Sequence, residues 1–283
     1  MKDIKTPILL AVIGLGIVVL IGIFLNINNP KKDQILTDGD IILATTTSTK
    51  DSGLLDYLLP FFEKKVNIKV KVISVGSGEA IAMAKRGDCD VVLAHSRTAE
   101  DELVNSGFGI NRKDVMYNFF YLVGPKNDPA KASSAKKSVE AFKLISSSKS
   151  IFVSRADKSG THVKELSIWK TAGIKPVGNK WYKEAGQGML DTLNMAAELQ
   201  GYTITDSSTW GANEPKLDLK IIVKDEPALF NPYGVIAVNP AKFKVHSMSA
   251  QAFIDFLISD EGQKLIGKYK KNGSNLFVPS YKK

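Results

Sequence analysis

Residues 40–65 read DIILATTTSTKDSGLLDYLLPFFEKK. A short apolar, β-rich run (residues 40–44) gives way to hydroxyls and then to a helical period. The apolar run predicts a strand. Residues 45–50 predict a polar turn. Asp51 or Ser52 is placed to cap the helix that follows, where Leu54, Leu55, Leu58 and Phe62 form one apolar stripe. Pro60 lies inside that stripe and predicts a kink or an early end.

The same strand–turn–helix unit recurs outward from this stretch. Residues 68–73 alternate as a strand and run into Gly76-Ser77-Gly78. A helix is expected from Ala80 to Arg86, stopping at Gly87, and a strand over residues 90–94. Further strands are expected over 119–123, 151–153, 202–205, 219–223 and 233–238. Residues 126–138 are polar and read as a loop. A helix after His162 carries Val163, Leu166 and Trp169 on one side. Gly186-Gln187-Gly188 opens another, reaching about Gln200, and a long helix spans 250–269. Alternating strands and helices without an internal repeat define an α/β chain.

Three of these junctions share one chemical character. They are Thr45-Thr46-Thr47-Ser48, Gly76-Ser77-Gly78, and Arg155 with Ser159-Gly160-Thr161. A helix start offers free main-chain N–H groups and the positive end of the dipole, so it favours an anion. Hydroxyls add donors without bulk, and glycine lets the backbone come close. Arg155 adds a permanently charged fork suited to oxyanions. Any one junction reads equally well as an ordinary cap or turn; three in different halves of the chain point to a site. Donors of this kind suit a fully deprotonated ligand, whereas hydrogen phosphate calls for a carboxylate acceptor. Asp90 is the nearest candidate for that role and reads better as a strand-end aspartate.

Composition narrows the classes. The net charge of +9 is spread along the chain, with no finger motif or basic helix, so nucleic acid is not an expected partner. The single cysteine, Cys89, allows no internal disulfide. His95, His162 and His246 are the only histidines, and no H-E-x-x-H or G-x-S-x-G pattern is present. Neither an enzyme nor a cofactor is expected, a hydrolase being the remote alternative. Residues 8–25 carry no charge and follow Lys2 and Lys5; without an A-x-A site this predicts an uncleaved membrane anchor over 1–30 rather than a signal segment. Residues 31–37 read as a tether.

Several motifs together carry a family resemblance. They are residues 43–65, VGSGEA (75–80), GDCDVVLAHSRTAEDELV (87–104) and MYNFFYLVGPKNDPA (116–130). SRADKSGTHVKELSIWKTAGI (154–174), KWYKEAGQGM (180–189), LFNPYGVIAVNP (229–240) and FIDFLISDEGQKLIGKY (253–269) continue it. In these stretches the chain resembles the TupA-type tungstate-binding proteins of ABC importers. The resemblance implies a type II periplasmic-binding-protein fold, α/β in both lobes, and an extracytoplasmic monomer serving an ABC permease. It implies tungstate as ligand, molybdate as close competitor, and Thr46, Thr47, Ser48, Ser77, Arg155, Ser159, Gly160 and Thr161 as anion contacts. Another tetrahedral oxyanion such as phosphate is the alternative. Hinge crossings are expected near 116–123 and 229–235, giving lobe one as 38–118 with 234–283 and lobe two as 119–233. The family usually has glycine where Ala156 stands, and commonly arginine where Ser207 stands.

Overall fold

The computed structural model describes residues 35–281. Strand β1 (Ile41–Thr46) passes directly into helix α1 (Thr47–Asp51), and Thr46 is both the last strand residue and the N-cap. Its Oγ1 accepts the Thr49 N–H at 3.3 Å. The helix thus begins inside the segment expected to be a turn, because an extended threonine both pairs in a sheet and caps a helix. Neither expected residue caps the next helix: the N-cap is Gly53 at φ +83, and Ser52, one residue earlier, accepts the Leu54 N–H on its Oγ at 3.2 Å. Helix α2 (Leu54–Val66) buries Leu54, Leu55, Leu58, Leu59 and Phe62, each worth about 2 kcal/mol of transfer free energy. Pro60 does not end it. Pro60 and Asp56 are both exposed, so the carbonyl deprived of its partner faces water.

Strand β2 (Val70–Val75), helix α3 (Ser77–Arg86), strand β3 (Val91–Ala94) and helix α4 (Arg97–Asn105) follow. Strand β1 lies between β2 and β3, parallel to both. Helix α3 starts earlier than expected, directly on Ser77, and Gly87 closes it at φ +77. The chain then enters β4 (Gly109–Pro125), far longer than the strand expected over 119–123. Its first half carries Arg112, Lys113 and Asp114, charges that hide a strand from a hydropathy reading; Arg112 is spent on buried Glu100 at 2.8 Å.

Helix α5 (Ser138–Ser148) was not expected from its serine- and lysine-rich surroundings. Strand β5 (Phe152–Ser154) leads to helix α6 (Gly160–Ala172), and β5 pairs in parallel with β6 (Tyr182–Glu184). The inward face of α6 differs from the expected stripe. Thr161, Glu165, Ile168 and Trp169 are buried, while Val163 and Leu166 are exposed. A buried glutamate occupies a place that periodicity assigns to an apolar residue. Helix α7 (Met189–Glu198), strand β7 (Thr203–Asp206), helix α8 (Ser207–Asn213), strand β8 (Leu219–Val223) and strand β9 (Phe230–Val238) come next. The single helix expected over 250–269 is two, α9 (Ser247–Ile258) and α10 (Asp260–Lys268), divided at Ser259, whose Oγ accepts the Gly262 N–H. A short strand β10 (Val278–Pro279) ends on the edge of β4.

Strands β4 and β9 tie the fold together. They pair antiparallel from Gly109 opposite Val238 to Phe119 opposite Phe230. Beyond that point β4 turns its edges to β7 and β8, while β9 also pairs with β3. Core side chains fall into two sets. One contains Leu43, Phe62, Leu93, Tyr233 and Phe253 with the layer around Ala80 and Ile236. The other contains Phe120, Phe142, Phe152 and Trp169 with the layer around Met189 and Trp210. The change falls between Met116 and Phe120 on β4 and between Leu229 and Tyr233 at the entry to β9. Cys89 sits in the first set, 2% exposed, and burial pushes its thiol up to about 12.

The expected anchor (1–30) and most of the tether lie outside the described residues. Among the described residues no helix is long and apolar enough to cross a membrane.

Candidate functional site

The carboxyl ends of β1 and β2 stand side by side, with Thr46 opposite Val75. Thr47, opening α1, and Ser77, opening α3, are therefore neighbours. The third turn comes from the other core set. Arg155 follows β5, and Ser159 caps α6 by accepting the His162 N–H at 3.3 Å. The turns touch. A methyl group on Gly76 would lie 3.6 Å from Ser159 Cβ, and one on Gly78 3.2 Å from the Lys158 carbonyl oxygen. One on Gly188, at the start of α7, would lie 4.0 Å from Thr47 Oγ1. Of these three, only at Gly78 is the approach tight enough to favour glycine; at Gly76 and Gly188 a methyl group would make ordinary contact. The Gly-Ser-Gly turn and the Gly186–Gly188 turn serve that approach from opposite sides.

Polar accounting separates the expected site residues into two groups. Thr46, Ser48 and Ser159 spend their hydroxyls locally. Thr46 Oγ1 lies 3.1 Å from Ser48 Oγ and 2.7 Å from Thr49 Oγ1. Thr47 Oγ1, Ser77 Oγ, Arg155 Nε and Thr161 Oγ1 are buried without a hydrogen-bond partner. Buried donors are seldom left so; among the described residues Ser138 Oγ and Trp210 Nε1 also lack a partner and Arg112 Nη2 has only its ion pair with Glu100, while the other four fall together on the three turns. Arg155, 3% exposed, keeps one contact, from its guanidinium to Asp157. Gly160 contributes a helix-start N–H and close approach. Taken together, the turns present hydroxyls, amides and a guanidinium, a set rich in donors, and the one carboxylate in them, Asp157, is engaged by Arg155 and the Ser159 N–H. Asp90 does not alter this. Its carboxylate accepts the Ile42 and His246 N–H groups, both at 2.7 Å, at the far end of β3.

Residues outside the expected contact set also gather here, among them His95, a strand-end residue that the sequence allows to line a cleft. His95, one residue past β3, has Nε2 3.4 Å from Ser48 Oγ and Nδ1 3.0 Å from Asn231 Oδ1. Asn231 Nδ2 donates to Asn118 Oδ1 at 2.7 Å. Asn118 and Asn231 are register partners on β4 and β9, so a buried amide pair joins the two crossing strands behind the site. Burial drives His95 down to about 4 against the pull of Asp206, and the charge of Arg155 adds to the fall. The imidazole is therefore neutral. With the Asn231 amide nitrogen donating to Asn118, its oxygen accepts from Nδ1–H and leaves the Nε2 lone pair toward Ser48. Asp206 caps α8 and accepts from Thr209 N–H, Thr209 Oγ1 and Ser208 Oγ. Ser207 is the first residue of that helix. Partial burial and the charges of Asp206 and Asp191 raise the Asp51 carboxyl above its ordinary range. The Asp206 cap is local, but the contacts of His95, Asn118 and Asn231 have no local signature, because each depends on a partner distant in sequence.

Donor-rich turns at strand ends, drawn from two α/β core sets joined by a pair of antiparallel crossings, fit a periplasmic-binding-protein-like domain. Residues 30–261 match the PBP superfamily domain. The chain is 51% identical over 247 residues to the tungstate-binding protein TupA of Peptoclostridium acidaminophilum, covering 86% of each. The crystal structure of the tungstate ABC transporter protein from Geobacter sulfurreducens matches with a TM-score of 0.75 and 52% identity, over 81% of this chain and 98% of that one. The tungstate-binding protein TupA of Desulfovibrio alaskensis G20 matches with a TM-score of 0.73 and 40% identity, over 87% of this chain and 100% of that one. The chain belongs to the TupA-type tungstate-binding family of the PBP superfamily.

Proposed function

We propose that this protein is the extracytoplasmic binding component of an ABC importer that captures tungstate, with molybdate as close competitor, and hands it to the permease. The observation that carries this reading is that four of the unpartnered buried atoms gather on the three turns: Thr47 Oγ1, Ser77 Oγ, Arg155 Nε and Thr161 Oγ1. A doubly charged tetrahedral oxyanion presents only acceptors and satisfies all four. The starts of α3 and α6 add main-chain N–H groups and the positive ends of two helix dipoles. Together they replace the ion's water shell. Thr46, Ser48, Ser159 and Gly160 complete the contact set, the first three by holding their turns in shape and all by offering main-chain donors.

In this reading the fold is of the type II class. Lobe one (38–118 and 234–283) supplies the Thr47 and Ser77 turns, and lobe two (119–233) supplies Arg155 and Thr161. The crossings in β4 and β9 act as the hinge. The protein works as a monomer held to the membrane by residues 1–30, and it binds without turnover. Hydrogen phosphate fits less well, because Asp90 is engaged elsewhere and Asp206 already accepts three hydrogen bonds.

Titration calorimetry of the full-length protein with tungstate, molybdate, sulfate and phosphate tests the assignment. Tungstate is expected to bind tightest and phosphate weakest. Phosphate binding tightest overturns it, and turnover of an ester or phosphoester would restore the enzyme alternative.

A further inference from the structure

We infer that Glu165 is a positioning residue for the Arg155 turn: from the buried side of α6 its carboxylate fixes the Ser154 hydroxyl, and Ser154 in turn holds the left-handed Ala156 next to Arg155. Glu165 has no surface exposure and no cationic partner in its hydrogen-bond set. Its Oε2 accepts the Ser154 hydroxyl at 2.6 Å. Its Oε1 accepts the Trp169 indole N–H at 3.1 Å and the Tyr182 hydroxyl at 2.7 Å. With its proton committed to the carboxylate, Ser154 Oγ turns a lone pair to the Ala156 N–H, 3.2 Å away.

That last bond falls where the backbone needs it. Ala156 lies at φ +50, a conformation that costs an L-residue with a Cβ about 1 kcal/mol or more. The residue before it is Arg155, whose Nε is among the unpartnered buried atoms. A second connection runs through the same strand end, because the Ser154 carbonyl accepts the Ala185 N–H at 2.9 Å. Tyr182, bonded to Glu165, opens the strand that reaches Ala185 and the Gly186–Gly188 turn facing Thr47. One carboxylate therefore braces both turns that the second core set brings to the site. Glutamine is a poor substitute. Trp169 Nε1–H is an obligate donor and claims the amide oxygen. The amide nitrogen then faces Ser154 Oγ, whose own proton loses its acceptor.

The affinity readout rests on the proposed oxyanion function; amide exchange in the ligand-free protein does not. In Glu165→Gln the Ala156 amide is expected to lose about tenfold or more of its protection from hydrogen exchange, and tungstate to bind about tenfold more weakly. Ser154→Ala, which keeps Glu165, is expected to do the same, and the double variant no more than either single one. Adding Ala156→Gly to Glu165→Gln is expected to restore affinity, because glycine needs no brace at positive φ; a general loss of core stability would not respond to it. Unchanged Ala156 exchange in both single variants, additive losses in the double variant, or absence of rescue by Ala156→Gly overturns the inference. If the wild-type protein binds none of the four oxyanions, the proposed function fails, and the exchange experiment still decides the role of Glu165.

Discussion

Gly160 and His95 meet at van der Waals distance across the site: a methyl group on Gly160 would stand 2.9 Å from the His95 carbonyl oxygen and 3.0 Å from its Nδ1 and Cε1. The two residues come from different core sets, and the contact brings the start of α6 up to the end of β3. Gly160→Ala is compatible with a helical backbone, so thermal stability should change little. The added methyl holds the walls apart, and tungstate affinity should fall at least about tenfold. Calorimetry and a melting curve on the same sample separate the two effects.

Arg155 is buried and paired with Asp157, but its Nε–H has no partner and is free to donate to a ligand. Arg155→Ala should weaken tungstate binding by about a hundredfold, as expected for loss of a charge-assisted hydrogen bond of up to about 3 kcal/mol. Arg155→Lys should recover only part, because an ammonium lacks the planar fork. Unchanged affinity in Arg155→Ala removes the residue from the site.

Ser77 and Ser48 should respond in opposite ways. Ser77 Oγ is buried without a partner, so Ser77→Ala should leave the ligand-free protein as stable or slightly more so, while affinity drops about tenfold. Ser48 Oγ is bonded to Thr46 and His95, so Ser48→Ala should cost about 1 kcal/mol of ligand-free stability. Denaturant titrations of the ligand-free variants give the first quantity and calorimetry the second.

Two buried groups give stability opposite slopes with pH. Glu165 is raised to about 7, first by burial and further by the charge of Glu184, against the hydrogen bonds of Ser154, Tyr182 and Trp169. A carboxyl raised in the fold contributes stability below its unfolded pKa, and that contribution is lost as pH rises through about 7. His95 is lowered to about 4, so its contribution is present above its unfolded pKa and is lost as pH falls through about 4. Each limb amounts to roughly 3 kcal/mol at most. Both contributions change in the same window, between about pH 4 and 7, and oppose each other there. In unfolding measured across that window, Glu165→Gln should make stability fall more steeply on acidification, and His95→Asn should make it fall as pH rises toward 7.

The junctions were readable from sequence because their chemistry is local. Thr46, Ser77 and Ser159 each sit where a strand becomes a helix, and a hydroxyl there announces a helix start whatever surrounds it. What was hidden is non-local or contrary to pattern. The first half of β4 carries Arg112, Lys113 and Asp114 and looks like a loop until β9 is laid beside it. Helix α6 was assigned the wrong face because Glu165 points inward, and a buried glutamate is only intelligible once Ser154, Trp169 and Tyr182 surround it. The division of labour between Thr46 and Thr47 turned on a cap geometry that neighbouring threonines do not disclose.

Cys89, the chain's sole cysteine, is packed beneath β3 with a thiol that hardly ionises below about pH 12. The molecule is thus chemically silent toward maleimides and similar labels at neutral pH. Cysteines introduced at exposed Lys71 and Lys180 would be the sole reactive positions, with no need to remove the native thiol. A spin-label or dye pair attached there would turn the aperture between the walls into a ruler, read in real time as the anion arrives and leaves.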